Sequence, residues 1–192
     1  MSSCKSLAFA IHVLFVLGTC LLASEANFFP PPCPSAPPPP SINTATYYLQ
    51  AVIANGTNNA VANVFPVAGV QGRQFTLQEF GTIFVVDANI TTTPSPTSTL
   101  VGQAFGTLVA VSLDGTGYSV QVSLTNVFTS GPLAGSTLVV LGVSNGAQQQ
   151  RPVPIVGGTG ALTYATGYVV YQTISQQGPN LIIEVTAYYK TL

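Results

Sequence analysis

From residue 46 onward the chain is written in a period of two. Tyr118-Ser119-Val120-Gln121-Val122-Ser123-Leu124-Thr125 alternates apolar and polar without a slip. That pattern puts every second side chain on one buried face of a strand. No stretch after residue 26 carries an apolar stripe at helical spacing, and helix-forming runs of Leu, Glu and Lys are scarce. Further strands are expected at 47–54, 80–87, 100–113, 136–142, 153–156, 163–173 and 181–189, with a weaker one at 61–67. The 80–87 run is nearly all Ile, Phe and Val, so both its faces should be covered, and Asp87 should cap a turn at its end.

Turn chemistry separates these segments. Asn55-Gly56, Asp114-Gly115, Ser130-Gly131-Pro132 and Gly178-Pro179-Asn180 mark expected hairpin ends. About eight short strands fit a sandwich or an antiparallel barrel. The barrel is favoured because closure removes exposed edges, and these apolar strands have almost no lysine to guard an edge. The expected fold is therefore all-β, an eight-stranded antiparallel β-barrel over 46–192.

Two segments precede it. Residues 1–26 read as a secretory signal peptide: Lys5 supplies the positive start, 7–22 the apolar run, and Ala23-Ser24-Glu25-Ala26 small residues for cleavage. A membrane span is the rival reading, but the run is short and interrupted by His12, Gly18, Thr19 and Cys20. Residues 27–45 form a Pro-rich linker that favours extended conformations and packs no core. It serves as a wall tether or as a plain disordered terminus. Cys33 is the one cysteine beyond the leader, so it is a free thiol or an intermolecular bridge. The mature chain is expected to be extracellular, with no membrane span.

Charge excludes more than it suggests. Only 5% of residues are charged, against roughly 25% in ordinary globular chains. Beyond residue 26 there is no histidine, and the ions are Arg73, Arg151, Lys190, Glu79, Asp87, Asp114 and Glu184. A Ser-His-Asp relay needs an imidazole, and zinc sites need His or clustered Cys, so no metal site is expected. The net charge is −1, with no basic patch for nucleic acid. Asn55-Gly56-Thr57 and Asn89-Ile90-Thr91 are candidate glycosylation sites on loops.

Several motifs have bland explanations. Gly142-Val143-Ser144-Asn145-Gly146 fits a nucleophile elbow, but no helix or histidine accompanies it, so a hairpin turn is expected. Gly157-Gly158-Thr159-Gly160 lacks the Lys and Ser/Thr of a phosphate loop and reads as a tight turn. Arg151 stays open. On an inner face it would hold a phenolate, carbonyl or quinone oxygen; at a strand end it would be a surface arginine. Glu184 points outward if Ile183, Val185, Ala187 and Tyr189 line the core. Tyr164, Tyr168, Tyr171, Tyr188 and Tyr189 fill the core or line an aromatic pocket.

The stretch Arg151-Pro152-Val153-Pro154-Ile155-Val156-Gly157-Gly158-Thr159-Gly160 and on to Gly167-Tyr168 resembles the signature of plant dirigent proteins. Phe80-Gly81-Thr82 through Asp87, Leu100-Val101-Gly102-Gln103-Ala104-Phe105-Gly106, and Phe128-Thr129-Ser130-Gly131 with Gly135-Ser136-Thr137-Leu138 resemble three more of its segments, in order. The resemblance implies a barrel of the allene oxide cyclase type, a homo-oligomer (trimer or dimer), and an apoplastic protein acting on phenolic small molecules. It implies no cofactor and no oxidative centre. A laccase or peroxidase supplies phenoxy radicals, typically from coniferyl alcohol, and the pocket orients two of them so that coupling yields one stereoisomer. Some relatives assist quinone-methide cyclisation instead. Such help is proximity and orientation with modest acid assistance.

Carried over residue by residue, the resemblance makes Arg151 and Thr173 the candidate catalytic groups. The pocket around them would include Ser144, Gln50, Tyr171 and Leu108. Lignan-forming members have a His-Asp pair where this chain has Gln50 and Ala51. They have a second pocket aspartate where it has Ser144, and pocket tyrosines where it has Leu108 and Ala110. The expected function is an auxiliary, stereo-directing role in phenolic coupling or cyclisation. The alternatives are a non-catalytic wall component that has lost the pocket acids, and an isomerase like allene oxide cyclase. The last works in plastids, whereas this leader is secretory.

Overall fold

The computed structural model describes residues 41–113 and 119–191. Nine strands run in chain order: β1 (Asn43–Val52), β2 (Val64–Ala68), β3 (Ile83–Thr91), β4 (Leu100–Ala110), β5 (Ser119–Phe128), β6 (Thr137–Asn145), β7 (Gln150–Thr159), β8 (Thr166–Gln177) and β9 (Asn180–Lys190). A single 3-10 turn, Gly160–Leu162, joins β7 to β8. Consecutive strands from β3 to β9 pair antiparallel, β9 pairs with β1, and β1 pairs with β3. Eight strands therefore close into an antiparallel barrel, with β2 added alongside the first half of β3.

The seam of closure is short and needs reinforcement. β1 meets β3 only at Tyr48–Thr91, Leu49–Ile90 and Gln50–Asn89. The chain then leaves the edge, loops through 53–63, and returns as β2 to pair with the other half of β3. Asn63 stitches the junction. Its Oδ1 accepts from Val52 N at 2.7 Å, its Nδ2 donates to Gln50 O at 3.0 Å, and its backbone O accepts from Asp87 N at 2.8 Å.

Burial follows the two-residue period. Tyr47, Leu49 and Ala51 of β1, Phe84, Val86, Ala88 and Ile90 of β3, and Val120, Val122, Leu124 and Phe128 of β5 all face inward. Each large aliphatic or aromatic group so buried contributes about 1.5–3 kcal/mol. An eight-stranded barrel is just wide enough for side chains to fill it or for one small ligand. Here the inward alanines 51 and 88 leave space that larger residues would fill.

Several expectations are corrected. The 80–87 run is not covered on both faces. Strand β3 begins at Ile83 and runs on to Thr91, with Val85, Asp87 and Asn89 exposed on the outer wall. Asp87 is thus mid-strand rather than a turn cap, and Gln103 Nε2 donates to its Oδ1 at 3.3 Å. Asn89 lies on a strand instead of a loop, while Asn55 is in the exposed turn after β1. Asn55-Gly56 opens the long 53–63 loop rather than a tight hairpin.

Gly157 and Gly158 belong to β7, not to a turn. A Cβ on Gly158 would stand 2.5 Å from Thr137 O and 2.6 Å from Leu162 O, so close backbone approach explains that glycine. Gly142–Asn145 is the end of β6, and the turn begins only at Gly146. β1 starts at Asn43, inside the expected 27–45 linker. The signal peptide, the Pro-rich tract with Cys33 and the Asp114-Gly115 turn lie outside the described residues.

Candidate substrate cavity

Arg151 is the one charged side chain that faces the barrel interior among the described residues. It sits second in β7, where it shares parity with the buried Val153 and Ile155. Only 8% of it is exposed. Its Nη2 donates to Thr173 Oγ1 at 3.0 Å and its Nη1 to the Gln148 carbonyl at 3.4 Å. Arg151 stands directly opposite Tyr171 of β8, and Thr173 lies two residues further on the same face. Charge-assisted bonds of this kind hold a guanidinium in one orientation.

Arg151 and Tyr171 line a cavity that offers about 100 Å³ to molecules of water size. Leu49, Ala51, Val86, Ala88, Leu108 and Ser144 contribute to its wall, and Ile53, Leu77 and Leu181 line both it and a neighbouring concavity. Among the described residues, no carboxylate lines it. The three described acids lie elsewhere: Glu79 pairs with Arg73 at 2.7 Å, Asp87 is outside on β3, and Glu184 accepts from Tyr48 Oη at 3.0 Å. Glu184 is thus on the outer face, with Val185 and Ala187 buried beside it. Its bond raises the Tyr48 phenol above its ordinary value.

Two interior phenols have unusual surroundings. The hydroxyls of Tyr171 and Tyr47 are buried and find no hydrogen-bond partner among the described residues. Burial pushes Tyr171 far above the ordinary tyrosine value, while the neighbouring Arg151 cation pulls the other way. Burial raises Tyr47 too, with a smaller contribution from Tyr171. The Tyr47 ring packs edge-on against Phe128, centroids 5.4 Å apart. That pair lines a second concavity, together with Val101, Leu133 and Tyr189 among others.

The structure thus brings together Arg151, Tyr171, Ser144 and Leu108 around one cavity, with Thr173 bonded to its cation. It does not bring Gln50. Leu49 and Ala51 point inward, so Gln50 between them points outward, and its Nε2 donates to Thr91 Oγ1 at 3.1 Å and Pro94 O at 3.3 Å. Sequence reasoning missed Leu77, Ile53 and Leu181. Leu77 sits in an irregular segment with no period, so nothing in the sequence marked it as facing a cavity.

Comparisons with known proteins bear on the family and the fold. Residues 43–190 match the family model described as dirigent-like protein. The chain is 32% identical over 110 residues to dirigent protein 1 of Arabidopsis thaliana, covering 57% of this chain and 59% of that one. It is 36% identical over 103 residues to pterocarpan synthase 1 of Glycine max, covering 53% and 54%. These alignments span little more than half the length of either relative. Two solved pterocarpan synthase dirigent proteins, PsPTS1 and GePTS1, superpose with TM-scores of 0.68 each at 25% and 27% identity, covering 78% of this chain and 95% and 89% of theirs. The chain belongs to the dirigent-like protein family.

Proposed function

We propose that this protein is a dirigent-type auxiliary that binds phenolic radicals or quinone-methide intermediates and directs their coupling or cyclisation to one stereoisomer. The observation that carries the reading is the apolar cavity with the Arg151 guanidinium fixed in its wall. Apolar walls bury aromatic rings, and a positioned cation holds a ring oxygen, so a reactive intermediate presents one face. The pterocarpan synthases among its relatives favour cyclisation as part of the range. A laccase or peroxidase supplies the oxidation, the protein works outside the cell, and copies of it assemble as a dimer or trimer. Asn55 and Asn89 are exposed and accessible to glycosylation.

The test is coupling of a monolignol by laccase with and without the protein, and cyclisation of a quinone-methide precursor in parallel, each followed by chiral chromatography. An excess of one enantiomer that rises with protein dose and disappears in Arg151→Gln supports the reading. Racemic product from both reactions at every dose rejects it. The absence of a carboxylate among the described lining residues favours a second reading, binding without stereochemical direction; phenol binding together with racemic product would select it.

A further inference from the structure

We propose that the Tyr171 hydroxyl and the Arg151 guanidinium together form a two-donor site for one oxygen atom bearing negative charge, on an aromatic ligand seated in the cavity. The proposal rests on the function proposed above and adds to it an oxygen-binding residue and a charge preference.

The argument begins with what Tyr171 does not do for the fold. Tyr171 as a whole is 4% exposed, and its hydroxyl has no partner among the described residues. A phenylalanine would fill the same space without stranding a polar atom in an apolar interior. Four buried side-chain polar atoms lack partners among the described residues, on Tyr47, Thr82, Asn126 and Tyr171. Of these four residues, only Tyr171 lines the cavity that contains Arg151. Tyr47 instead packs edge-on against Phe128 and lines the second concavity.

Register supplies the geometry. Arg151 and Tyr171 are directly opposed on adjacent strands. Opposed residues of an antiparallel pair stand about 4.5–5.5 Å apart at Cβ and share a face. The guanidinium can only donate. Burial keeps the phenol protonated, so it also donates. Two donors on one face of the same cavity wall suit an acceptor oxygen placed between them, and such bonds strengthen when the acceptor is ionised. A phenolate and a carboxylate share that chemistry. Both place a charged oxygen at the edge of a flat ring system that Leu49, Val86 and Leu108 would enclose.

The experiment is calorimetric titration of the purified full chain with 4-nitrophenolate, 4-nitrobenzoate and neutral 4-nitroanisole, followed by the same titrations on Tyr171→Phe. Both anions, or one of them, should bind at least about tenfold more tightly than 4-nitroanisole. Whichever anion binds more tightly identifies the phenolate or the carboxylate as the preferred source. Tyr171→Phe should lose about tenfold in anion affinity, hold its affinity for 4-nitroanisole, and melt about 2–4 °C higher than the parent when no ligand is present. A residue with a merely structural role would not raise the melting temperature while weakening only the anions. Equal binding of all three probes overturns the proposal. So does unchanged anion affinity in Tyr171→Phe, even where stereoselective coupling persists and the function proposed above stands.

Discussion

Arg151 reaches diagonally past its direct cross-strand partner and donates from Nη2 to Thr173 Oγ1 at 3.0 Å. The register of β8 slips between Thr173 and Ser175, leaving Ile174 on the outer wall. Bulges recur beside functional sites because they re-aim a side chain. Here the slip follows the residue that anchors the barrel's interior cation. Fixing that cation before a ligand arrives reduces the ordering cost of binding.

Thr173→Val keeps the shape of the side chain and removes its acceptor oxygen. The guanidinium keeps its bond to Gln148 O but loses the one that fixes its plane. A hydrogen bond to a charged group contributes about 1.5–3 kcal/mol when buried. Thr173 is only half-buried, so a loss of about 1–2 kcal/mol in urea unfolding is expected. Stereoselectivity should fall more than ligand affinity, because orientation is what the bond supplies.

The sequence made the wall of the barrel readable and its interior chemistry much less so. Strands β4, β5 and β9 fall where alternation and turn residues placed them, because one buried face imposes a period that survives any detail of packing. Arg151 carried a usable signal: it has the parity of Val153 and Ile155, which the structure buries. The general habit of arginine to sit in solvent masked it. Gln50 had no such signal. In Tyr47-Tyr48-Leu49-Gln50-Ala51-Val52 both parities are apolar, so alternation does not choose a face. Only pairing with β3 and β9 settles it. Gly158 looked like a turn because glycine is ambiguous between bending a chain and clearing room for a neighbour.

High pH should unfold the protein through its interior phenols. Tyr47 and Tyr171 have folded values raised above the ordinary tyrosine value of 10.0. Above that value the folded state binds more protons than the unfolded state, so their contribution is complete below about pH 10 and declines as pH rises towards the folded values. Each such phenol reduces stability by up to about 1.4 kcal/mol per pH unit in that window. Urea midpoints measured between about pH 9 and 12 should fall steeply, and phenolate absorbance from these two rings should appear only with unfolding. The double variant Tyr47→Phe/Tyr171→Phe should flatten the decline. An equally steep decline in that variant would assign alkaline unfolding to other groups.

Gly158→Ala tests the tight approach of β7 to β6. The new methyl would meet two backbone oxygens, Thr137 O at 2.5 Å and Leu162 O at 2.6 Å, and backbone does not give way as a flexible side chain does. Overpacking of this kind costs about 1–3 kcal/mol. The thermal midpoint should drop by several degrees, whereas Gly56→Ala, with open space around the new carbon but φ of +85°, reports only backbone strain. An unchanged midpoint in Gly158→Ala would mean that the strands separate more easily than the register implies.

Ser144→Asp asks whether the cation is the anion's partner. Ser144 and Arg151 line the same cavity, and no carboxylate lines it among the described residues. An aspartate there is held ionised by the neighbouring guanidinium, since a nearby opposite charge favours the charged form. It then competes with an incoming anion for the same donors and repels it across a poorly screened interior. Affinity for 4-nitrophenolate should fall at least about tenfold, while 4-nitroanisole, which brings no charge, should bind as before. Ser144→Asn adds nearly the same volume without the charge and should leave both affinities close to the parent's. If Ser144→Asp and Ser144→Asn weaken the anion equally, lost space rather than charge explains the effect, and Arg151 is not the group that holds the oxygen.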